Sequence, residues 1–243
     1  AGIETLIFIT GRNKFSIPNH FDKAYEIETE LERRKKTKEL ELVNVLPSNI
    51  KCIYIRQNQA LGLGHAVLCA KPAVGNNPFA VILADDMILS NTNGCLKQMA
   101  KKYTEFNSSI IAVEKVKKEH LHKYGIIQGS KINQSDWELK NIVEKPEIEN
   151  APSDMGVVGR YILNESIFDI LENTKKGAGE EIQLTDALAS QITKEKVYAY
   201  EFEGKRFDCG NKLGFLKATI EYGLHHGELS KDLKDYLKNL DLS

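Results

Sequence analysis

Residues 53–89 constrain the fold of this chain more than any other stretch. They contain a β-rich run, a glycine turn, a short small-residue helix, an unbroken apolar run and two adjacent carboxylates, at residues 53–55, 61–64, 66–70, 79–83 and 85–86. This order predicts a βαβ unit whose second strand ends at the two carboxylates. Because ligands in open α/β sheets bind beyond the carboxyl ends of the strands, we expect the chemistry of the protein there.

The rest of the chain continues this alternation of strands and helices. Apolar runs predict strands at residues 6–10, 109–113, 124–127, 141–146, 157–163 and 197–202. Helical spacing predicts helices at residues 96–103 and 166–172, and a helical C-terminal part at residues 213–243. Alternating elements favour an α/β fold in which a mainly parallel sheet carries helices on both faces.

Three segments give more detailed expectations. Asn19 is placed to cap a helix that runs from His20 into the forties. Residues 197–202 alternate in the manner of an edge strand. The charged run at residues 32–39 is expected to be a solvated helix surface, and a phosphate-binding patch is the alternative.

Composition narrows the classes of partner. The chain has 243 residues and a formal net charge of −1, so a basic nucleic-acid surface is not expected. No apolar run approaches the roughly 18 residues that a membrane span needs, so no span is expected. Its four cysteines are isolated, without the C-x-x-C spacing of a zinc site. Scattered thiols of this kind suit the reducing cytoplasm.

Asp85 and Asp208 are the candidate metal ligands. Asp85 follows a buried strand, and Asp208 lies between an apolar residue and a glycine turn. Carboxylates in such positions suit Mg²⁺, which takes one or two of them together with substrate phosphates. The alternative for each is a polar turn without a ligand.

Lys145 is the candidate phosphate-binding residue, because it stands between Glu144 and Pro146 at the end of a predicted strand. The proline predicts an extended backbone at Lys145, whose ammonium could contact a phosphate as a point charge. Glu144 could accept hydrogen bonds from sugar hydroxyls. The alternative is an exposed ion pair before a turn.

The glycine turn is a candidate nucleotide contact. Gly62 and Gly64 let the backbone approach a ligand closely, and Gln57 offers both a donor and an acceptor to a base edge. His65 is expected to pack or cap rather than catalyse. The sequence shows no nucleophile–base pair of the Ser/His or Cys/His kind.

Together these segments resemble the bacterial UTP–glucose-1-phosphate uridylyltransferases, which are sugar nucleotidyltransferases. The matching segments are residues 56–57, 62–66, 81–86, 124–125, 143–146, 158–161, 181–186 and 208–212. Their order covers nearly the whole chain. The resemblance implies a Rossmann-like, mixed and mainly parallel sheet of the nucleotide-diphospho-sugar transferase type, in a single domain over residues 1–243.

The resemblance also implies a role for each candidate position. Lys145 and Asp85 would carry the catalysis. The implied roles are Gln57 and Gly62 at the uracil, Asp85 and Asp208 at Mg²⁺, Gly125 and Glu144 at the glucose hydroxyls, Lys145 at the phosphate of glucose 1-phosphate, Val157 and Tyr161 at the sugar side, and Glu181 in support of the sugar.

One departure from the family is that this sequence does not contain the family's N-terminal strand and G-x-G-T-R loop. In the family, that segment holds the phosphates of UTP. The sequence begins inside the family's first domain, so we expect an N-terminally incomplete domain. Little or no turnover is expected from the chain without that loop.

The implied reaction transfers the uridylyl group of UTP to glucose 1-phosphate and yields UDP-glucose and pyrophosphate, with Mg²⁺ as the cofactor. A thymidylyltransferase that uses dTTP and a non-catalytic paralogue that binds sugar nucleotides are the alternatives. A homo-oligomer, dimer or tetramer, is expected through the C-terminal helices or the charged helix after Asn19.

Overall fold

The computed structural model describes residues 1–44, 46–47 and 49–241. Its strands are β1 Thr5–Thr10, β2 Lys51–Arg56, β3 Phe79–Ile82, β4 Asp86–Leu89, β5 Ser109–Lys115, β6 Gly125–Lys131, β7 Asp136–Glu144, β8 Met155–Leu163, β9 Val197–Glu201 and β10 Lys205–Asp208. Its helices are α1 Ser16–Phe21, α2 Tyr25–Arg33, α3 Thr37–Val43, α4 Leu63–Cys69, α5 Lys71–Val74, α6 Cys95–Phe106, α7 Ser166–Asn173, α8 Leu184–Ile192, α9 Lys212–His225 and α10 Ser230–Lys238.

The chain divides into two compact units. One contains residues 1, 78–164 and 191–243, and the other contains residues 2–77 and 165–190. The expectation of a single domain over residues 1–243 stays a prediction. The expected C-terminal helical part is present as α9 and α10, and its residues 242–243 lie outside the described residues.

The unit of residues 2–77 and 165–190 is built around one parallel strand pair. β1 and β2 run side by side from Thr5 opposite Lys51 to Thr10 opposite Arg56. α4 packs against α7, whose buried face is apolar. Gly64 permits this packing, because a Cβ there would lie 2.9 Å from Leu171.

The other unit is built around a six-stranded sheet in the order β3-β8-β5-β9-β7-β6, to which β6 adds a pairing with β8. A separate antiparallel pair joins β10 to β4. α6 covers one face of the sheet with Cys95 and Met99, which pack against Ile110, Val158 and other side chains of β5, β8 and β9. Within the described residues, no helix is long and apolar enough to cross a membrane.

The predicted βαβ unit is wrong in its pairing, although its strands and helix exist. β2 pairs with β1, whereas β3 pairs antiparallel with β8. The expectation of mainly parallel pairing also fails, because only β1–β2 and β5–β9 are parallel among the described strand pairs. The sequence alternates strands with helices, but β8 inserts antiparallel beside both β3 and β5. The mixed α/β class is as expected.

Two element predictions are corrected. The helix expected from His20 into the forties is three helices, since the chain breaks at Asp22, which is extended, and at Lys35, which has a φ of 57°. The expected edge strand β9 lies inside the sheet, paired with β5 on one side and β7 on the other. Its first four residues are buried, and its Tyr198 and Tyr200 pack in the core cluster with Cys95 and Met99 of α6.

Candidate active site

The structure brings Asp85 and Asp208 together. Asp85 is exposed in the turn between β3 and β4, and Asp208 ends β10. A Cβ added at Gly210 would lie 3.2 Å from Oδ2 of Asp85 and 3.0 Å from Oδ1 of Asp208. The two carboxylates therefore border the same small space.

Asp208 is oriented by the start of α9. The backbone N–H of Gly210 donates to Oδ1 of Asp208 over 3.0 Å, and Nδ2 of Asn211 donates to Oδ2 over 3.0 Å. Asn211 also caps the helix, since its Oδ1 accepts from the N–H of Gly214 over 2.8 Å. Asp85 is fastened to the same turn because its carbonyl accepts from the N–H of Cys209 over 2.8 Å.

Asp86 differs from its neighbour Asp85 in environment and contacts. It is only 6% exposed, and its Oδ2 accepts from the N–H of Gly159 over 2.7 Å. A Cβ at Gly159 would come within 2.6 Å of that oxygen, so glycine is required there. Asp86 is therefore part of the support of the site, and Asp85 is the carboxylate that faces solvent.

A buried arginine completes this support. Arg206 donates to Oδ1 of Asp86 over 2.5 Å, to Oε1 of Glu114 over 2.8 Å and to the hydroxyl of Tyr124 over 3.1 Å. Burial raises the pKa of Glu114, and the charge of Arg206 opposes that shift. Sequence reasoning missed this arginine, although the period of two along β10 places it on the same face as Asp208.

Gly125, Glu144 and Lys145 form a second group. Gly125 is opposite Glu144 in the β6–β7 ladder, and the N–H of Lys145 donates to the carbonyl of Tyr124 over 3.0 Å. The ammonium of Lys145 is exposed and lies 3.5 Å from Oε1 of Glu144. Glu144 and Lys145 are neighbours in the sequence, and the β6–β7 ladder brings Gly125 to them.

The predicted extended backbone of Lys145 is wrong. Its φ is 44°, in the left-handed region that L-residues rarely occupy. The amide continues the ladder to Tyr124 while the chain turns so that Pro146 is buried. This conformation costs about 1–3 kcal/mol, and such strain concentrates at functional sites.

Val157 and Tyr161 lie on β8, on the same face as Gly159, since strand side chains alternate. Both are buried. Burial raises the pKa of Tyr161, and the negative charges of Glu144 and Asp86 add to the shift. The phenol is therefore neutral and lies within the electrostatic reach of both carboxylates.

Gln57, Gly62 and His65 form a third group, in the unit of residues 2–77 and 165–190. Nε2 of Gln57 donates to the carbonyl of Gly62 over 3.1 Å and lies 3.0 Å from Nδ1 of His65. With the glutamine nitrogen as the donor, Nδ1 of His65 accepts and its Nε2 carries the proton. His65 thus holds Gln57 in place, which agrees with its expected packing role.

Glu181 lies beside this third group, and the backbone of the next residue, Ile182, binds to it. Gly62 has a φ of 95°, and a Cβ there would lie 2.7 Å from the Cβ of Glu181. The N–H of Ile182 donates to the carbonyl of Leu61, and that of Gly64 donates to the carbonyl of Ile182, each over 2.8 Å. Glu181 lies between a glycine-rich turn and α8, which begins at Leu184, so it is not at the first residue of that helix.

The candidate metal ligands remain a pair. Among the residues that the structure describes, no group of three or more His, Cys, Asp or Glu side chains could hold a metal ion. A cation at Asp85 and Asp208 would take its other ligands from water or substrate. Mg²⁺ behaves in this way.

Comparison with known proteins identifies the family. The family described as nucleotidyl transferase matches residues 1–223. The UTP–glucose-1-phosphate uridylyltransferase of Staphylococcus epidermidis is 46% identical over 242 residues, which are 100% of this chain and 84% of that protein.

Solved structures agree with this match. The UTP-bound UGPase from Acinetobacter baumannii has a TM-score of 0.91 at 41% identity, over 99% of this chain and 84% of that chain. A UDP-glucose pyrophosphorylase complexed with UDP-glucose has a TM-score of 0.82 at 41% identity, over 92% of this chain and 82% of that chain. The chain therefore belongs to the nucleotidyl transferase family, among its UTP–glucose-1-phosphate uridylyltransferases.

Proposed function

We propose that this chain transfers the uridylyl group of UTP to glucose 1-phosphate and releases pyrophosphate. The observation that carries this proposal is the meeting of Asp85 and Asp208 at Gly210, within the unit that also contains Glu144 and Lys145. An exposed and a half-buried acid beside one turn suit a metal-bound phosphate. The exposed ammonium of Lys145, in the same unit, suits a second phosphate.

In the reaction, a phosphate oxygen of glucose 1-phosphate attacks the α-phosphorus of UTP. The bond from that phosphorus to the bridging oxygen breaks, and pyrophosphate takes the electron pair. No covalent intermediate with the protein is needed, so the chain contributes positioning and charge.

We assign the residues of the six-stranded unit to the sugar phosphate. The ammonium of Lys145 would bind the phosphate of glucose 1-phosphate, and Glu144 and Gly125 would bind the glucose hydroxyls. Support comes from the exposed position of Lys145 and from the pairing of Gly125 with Glu144. Val157 and Tyr161 would border the sugar.

In the unit of residues 2–77 and 165–190, we assign Gln57 and Gly62 to the uracil. Oε1 of Gln57 has no hydrogen-bond partner among the described residues, whereas its nitrogen is bound by Gly62 and His65. A fixed amide with a free acceptor suits the imide N–H of uracil. We assign Glu181 a supporting role for the sugar, through its packing on Gly62.

We propose Mg²⁺ as the cofactor and Asp85 and Asp208 as its protein ligands. Two hard oxygen donors fit this ion, which keeps several waters and binds substrate phosphates. When bound, Mg²⁺ neutralises negative charge on the phosphates. Around it, Gly210 and Asn211 hold Asp208, and Cys209 holds the backbone of Asp85.

The experiment that tests the function is a competition assay on the full-length protein. UTP and dTTP at equal concentration are supplied with glucose 1-phosphate and Mg²⁺, and both sugar nucleotides are quantified. UDP-glucose is expected in excess. An excess of dTDP-glucose would replace the assignment with a thymidylyltransferase, and binding of UDP-glucose without turnover would indicate a non-catalytic paralogue.

We also propose that the chain forms a homo-oligomer, a dimer or tetramer, through α9. Leu213, Leu216 and Ile220 recur at helical spacing, and they are 60%, 57% and 40% exposed. An apolar stripe of this kind is typical of a subunit contact. Light scattering of Leu216→Asp is expected to show a smaller particle than the wild type, and an unchanged mass would reject the contact.

A cytoplasmic location is proposed on the state of the cysteines. All four are free thiols, which a reducing compartment maintains. Cell fractionation with an antibody against the protein would test this proposal.

A further inference from the structure

In the unit that contains the six-stranded sheet, Arg206 lies between the turn of Asp85 and the strand end that precedes Lys145. Its side chain is only 9% exposed, and it contacts Asp86, Glu114 and Tyr124 at once. The guanidinium carbon also lies 5.2 Å from the centre of the Tyr124 ring. A planar fork of donors fixes several partners in one geometry.

On one side, Arg206 secures the turn that carries Asp85. Asp86 follows Asp85 directly, and its carboxylate is bound by Arg206 and by the N–H of Gly159. Arg160 holds the backbone of the same turn, because it donates to the carbonyls of Leu83 and Asp86 over 2.9 and 2.5 Å. The direction in which Asp85 points is therefore set by buried contacts of its neighbours.

On the other side, Arg206 secures the strand end that carries Lys145. It donates to the hydroxyl of Tyr124, whose carbonyl accepts from the N–H of Lys145 over 3.0 Å. The next residue, Gly125, is opposite Glu144. A displacement of Tyr124 would therefore be felt at both the lysine and the glutamate.

Stability alone is a poor explanation for this arrangement. Burying a charged pair is costly, and apolar side chains of similar volume are often as stabilising. Two carboxylates, Asp86 and Glu114, are gathered around one arginine, and burial raises the pKa of Glu114 although Arg206 opposes it. The arrangement is better explained by the geometry that it imposes.

We propose that Arg206 is a positioning residue that holds the Asp85–Asp208 pair and the Lys145 strand end at a fixed separation. This inference rests on the proposed function, since it assigns Arg206 to the metal and phosphate sites named there. Arg206 itself touches neither substrate nor metal in this role. Lysine at this position would keep the charge and lose the fork.

The test compares Arg206→Lys with Lys205→Met in the full-length protein. Lys205 is the preceding residue of β10, is exposed and pairs with Glu221, so its variant removes a charge from the same strand outside the network. The readouts are Mn²⁺ affinity by electron paramagnetic resonance, the Mg²⁺ concentration that gives half-maximal rate, and kcat. Circular dichroism checks folding.

Arg206→Lys is expected to weaken Mn²⁺ binding and raise the half-maximal Mg²⁺ concentration by about 10- to 100-fold, the usual cost of losing a partner behind a metal ligand. Lys205→Met is expected to change both by less than twofold. A folded Arg206→Lys protein with wild-type Mn²⁺ affinity and kcat would overturn the inference.

A second variant covers the case in which Arg206→Lys does not fold. Glu114→Gln keeps Arg206 and removes one of its charged partners, and it is expected to weaken Mn²⁺ binding in the same direction by a smaller factor. Wild-type affinity in Glu114→Gln would then reject the network. If the wild type binds Mn²⁺ but forms no sugar nucleotide, the proposed function fails while the effect of Arg206 on the metal stands. If the wild type binds no Mn²⁺, both fail.

Discussion

The residues around Asp85 and those around Gln57 are held in place by different means. The position of Asp85 depends on buried charges. Arg206 binds the carboxylate of the next residue, Asp86, and Arg160 binds the carbonyls of Leu83 and Asp86 in the same turn. Gln57 depends on neutral contacts, namely the carbonyl of Gly62 and the ring of His65.

This difference follows from what each group is proposed to bind. Mobile carboxylates repel one another, and a buried guanidinium keeps their neighbours in one geometry. A flat neutral base requires close approach of backbone instead, which Gly62 permits at its φ of 95°. The charged group should therefore be sensitive to lost charge, and the glycine group to added volume.

The largest expected effect is at Lys145. Lys145→Ala in the full-length protein is expected to lower kcat roughly 10²- to 10³-fold, as for the removal of one donor to a transition-state charge. Steady-state kinetics measure it, with Lys140→Ala as the control, because Lys140 is an exposed lysine of β7, the strand that precedes Lys145. A loss under tenfold would remove Lys145 from its proposed role.

A smaller loss is expected at Asp85. Asp85→Asn keeps the size of the side chain and removes its charge, so Mn²⁺ affinity should fall by at least the roughly 10- to 100-fold seen when an outer partner is lost. Calorimetric titration measures it. Asp154→Asn is the matched control, since the exposed carboxylate of Asp154 makes a surface pair with Lys115. Equal titration curves for the two variants would refute the ligand assignment.

Added volume should act at Gly62. Gly62→Ala is expected to lower the free energy of unfolding by about 1–3 kcal/mol, because the methyl meets Glu181 at a strained φ. Gly11→Ala is the control, since a Cβ there meets nothing within 4 Å. Denaturant titration compares them. The shape argument for this region would be lost if both variants were equally stable.

A modest effect is expected at His65. His65→Phe keeps a ring but removes the acceptor of the Gln57 amide, so the KM for UTP should rise about fivefold, the value of one ordinary hydrogen bond. His120→Phe, at an exposed histidine, serves as the control. An unchanged KM would show that Gln57 needs no support from His65.

The smallest effect concerns pH. Burial raises the pKa of Glu114 above its ordinary value of 4.5, so its folded state binds the proton more tightly. The stability it contributes is present below pH 4.5 and is lost as the pH rises through the folded pKa. In Glu114→Gln, the free energy of unfolding should therefore decrease less with rising pH than in the wild type, as measured by denaturant titration between pH 4 and pH 8. A slope equal to that of the wild type would contradict it.

Part of the candidate site could be predicted from the sequence, because Asp85 and Glu144 each stand where an apolar run ends. The family resemblance led us to expect Gly125 and Glu144 at the same glucose and Asp85 and Asp208 at the same Mg²⁺. No role for Arg206 was expected, because a single arginine in a short strand looks like any edge cation. Its burial depends on partners from three other parts of the chain.

The fold was harder to predict than the site. Periodicity located the strands, but it carries no information on which strand pairs with which. β2 and β3 frame a helix and yet lie in different sheets. The backbone of Lys145 was also mispredicted, because the ladder to Tyr124 and the burial of Pro146 outweigh the local preference of a residue before proline.

The inner position of β9 has a consequence for synthesis of the protein. β5 and β7 do not pair with each other in the described sheet; each pairs with β9, which comes later in the chain than both. While the ribosome is still making residues 145–196, β9 does not yet exist, so the edges of β5 and β7 that it will cover are unpaired. Unpaired strand flanks invite aggregation, so nascent chains that stall before Val197 should be strong clients of chaperones.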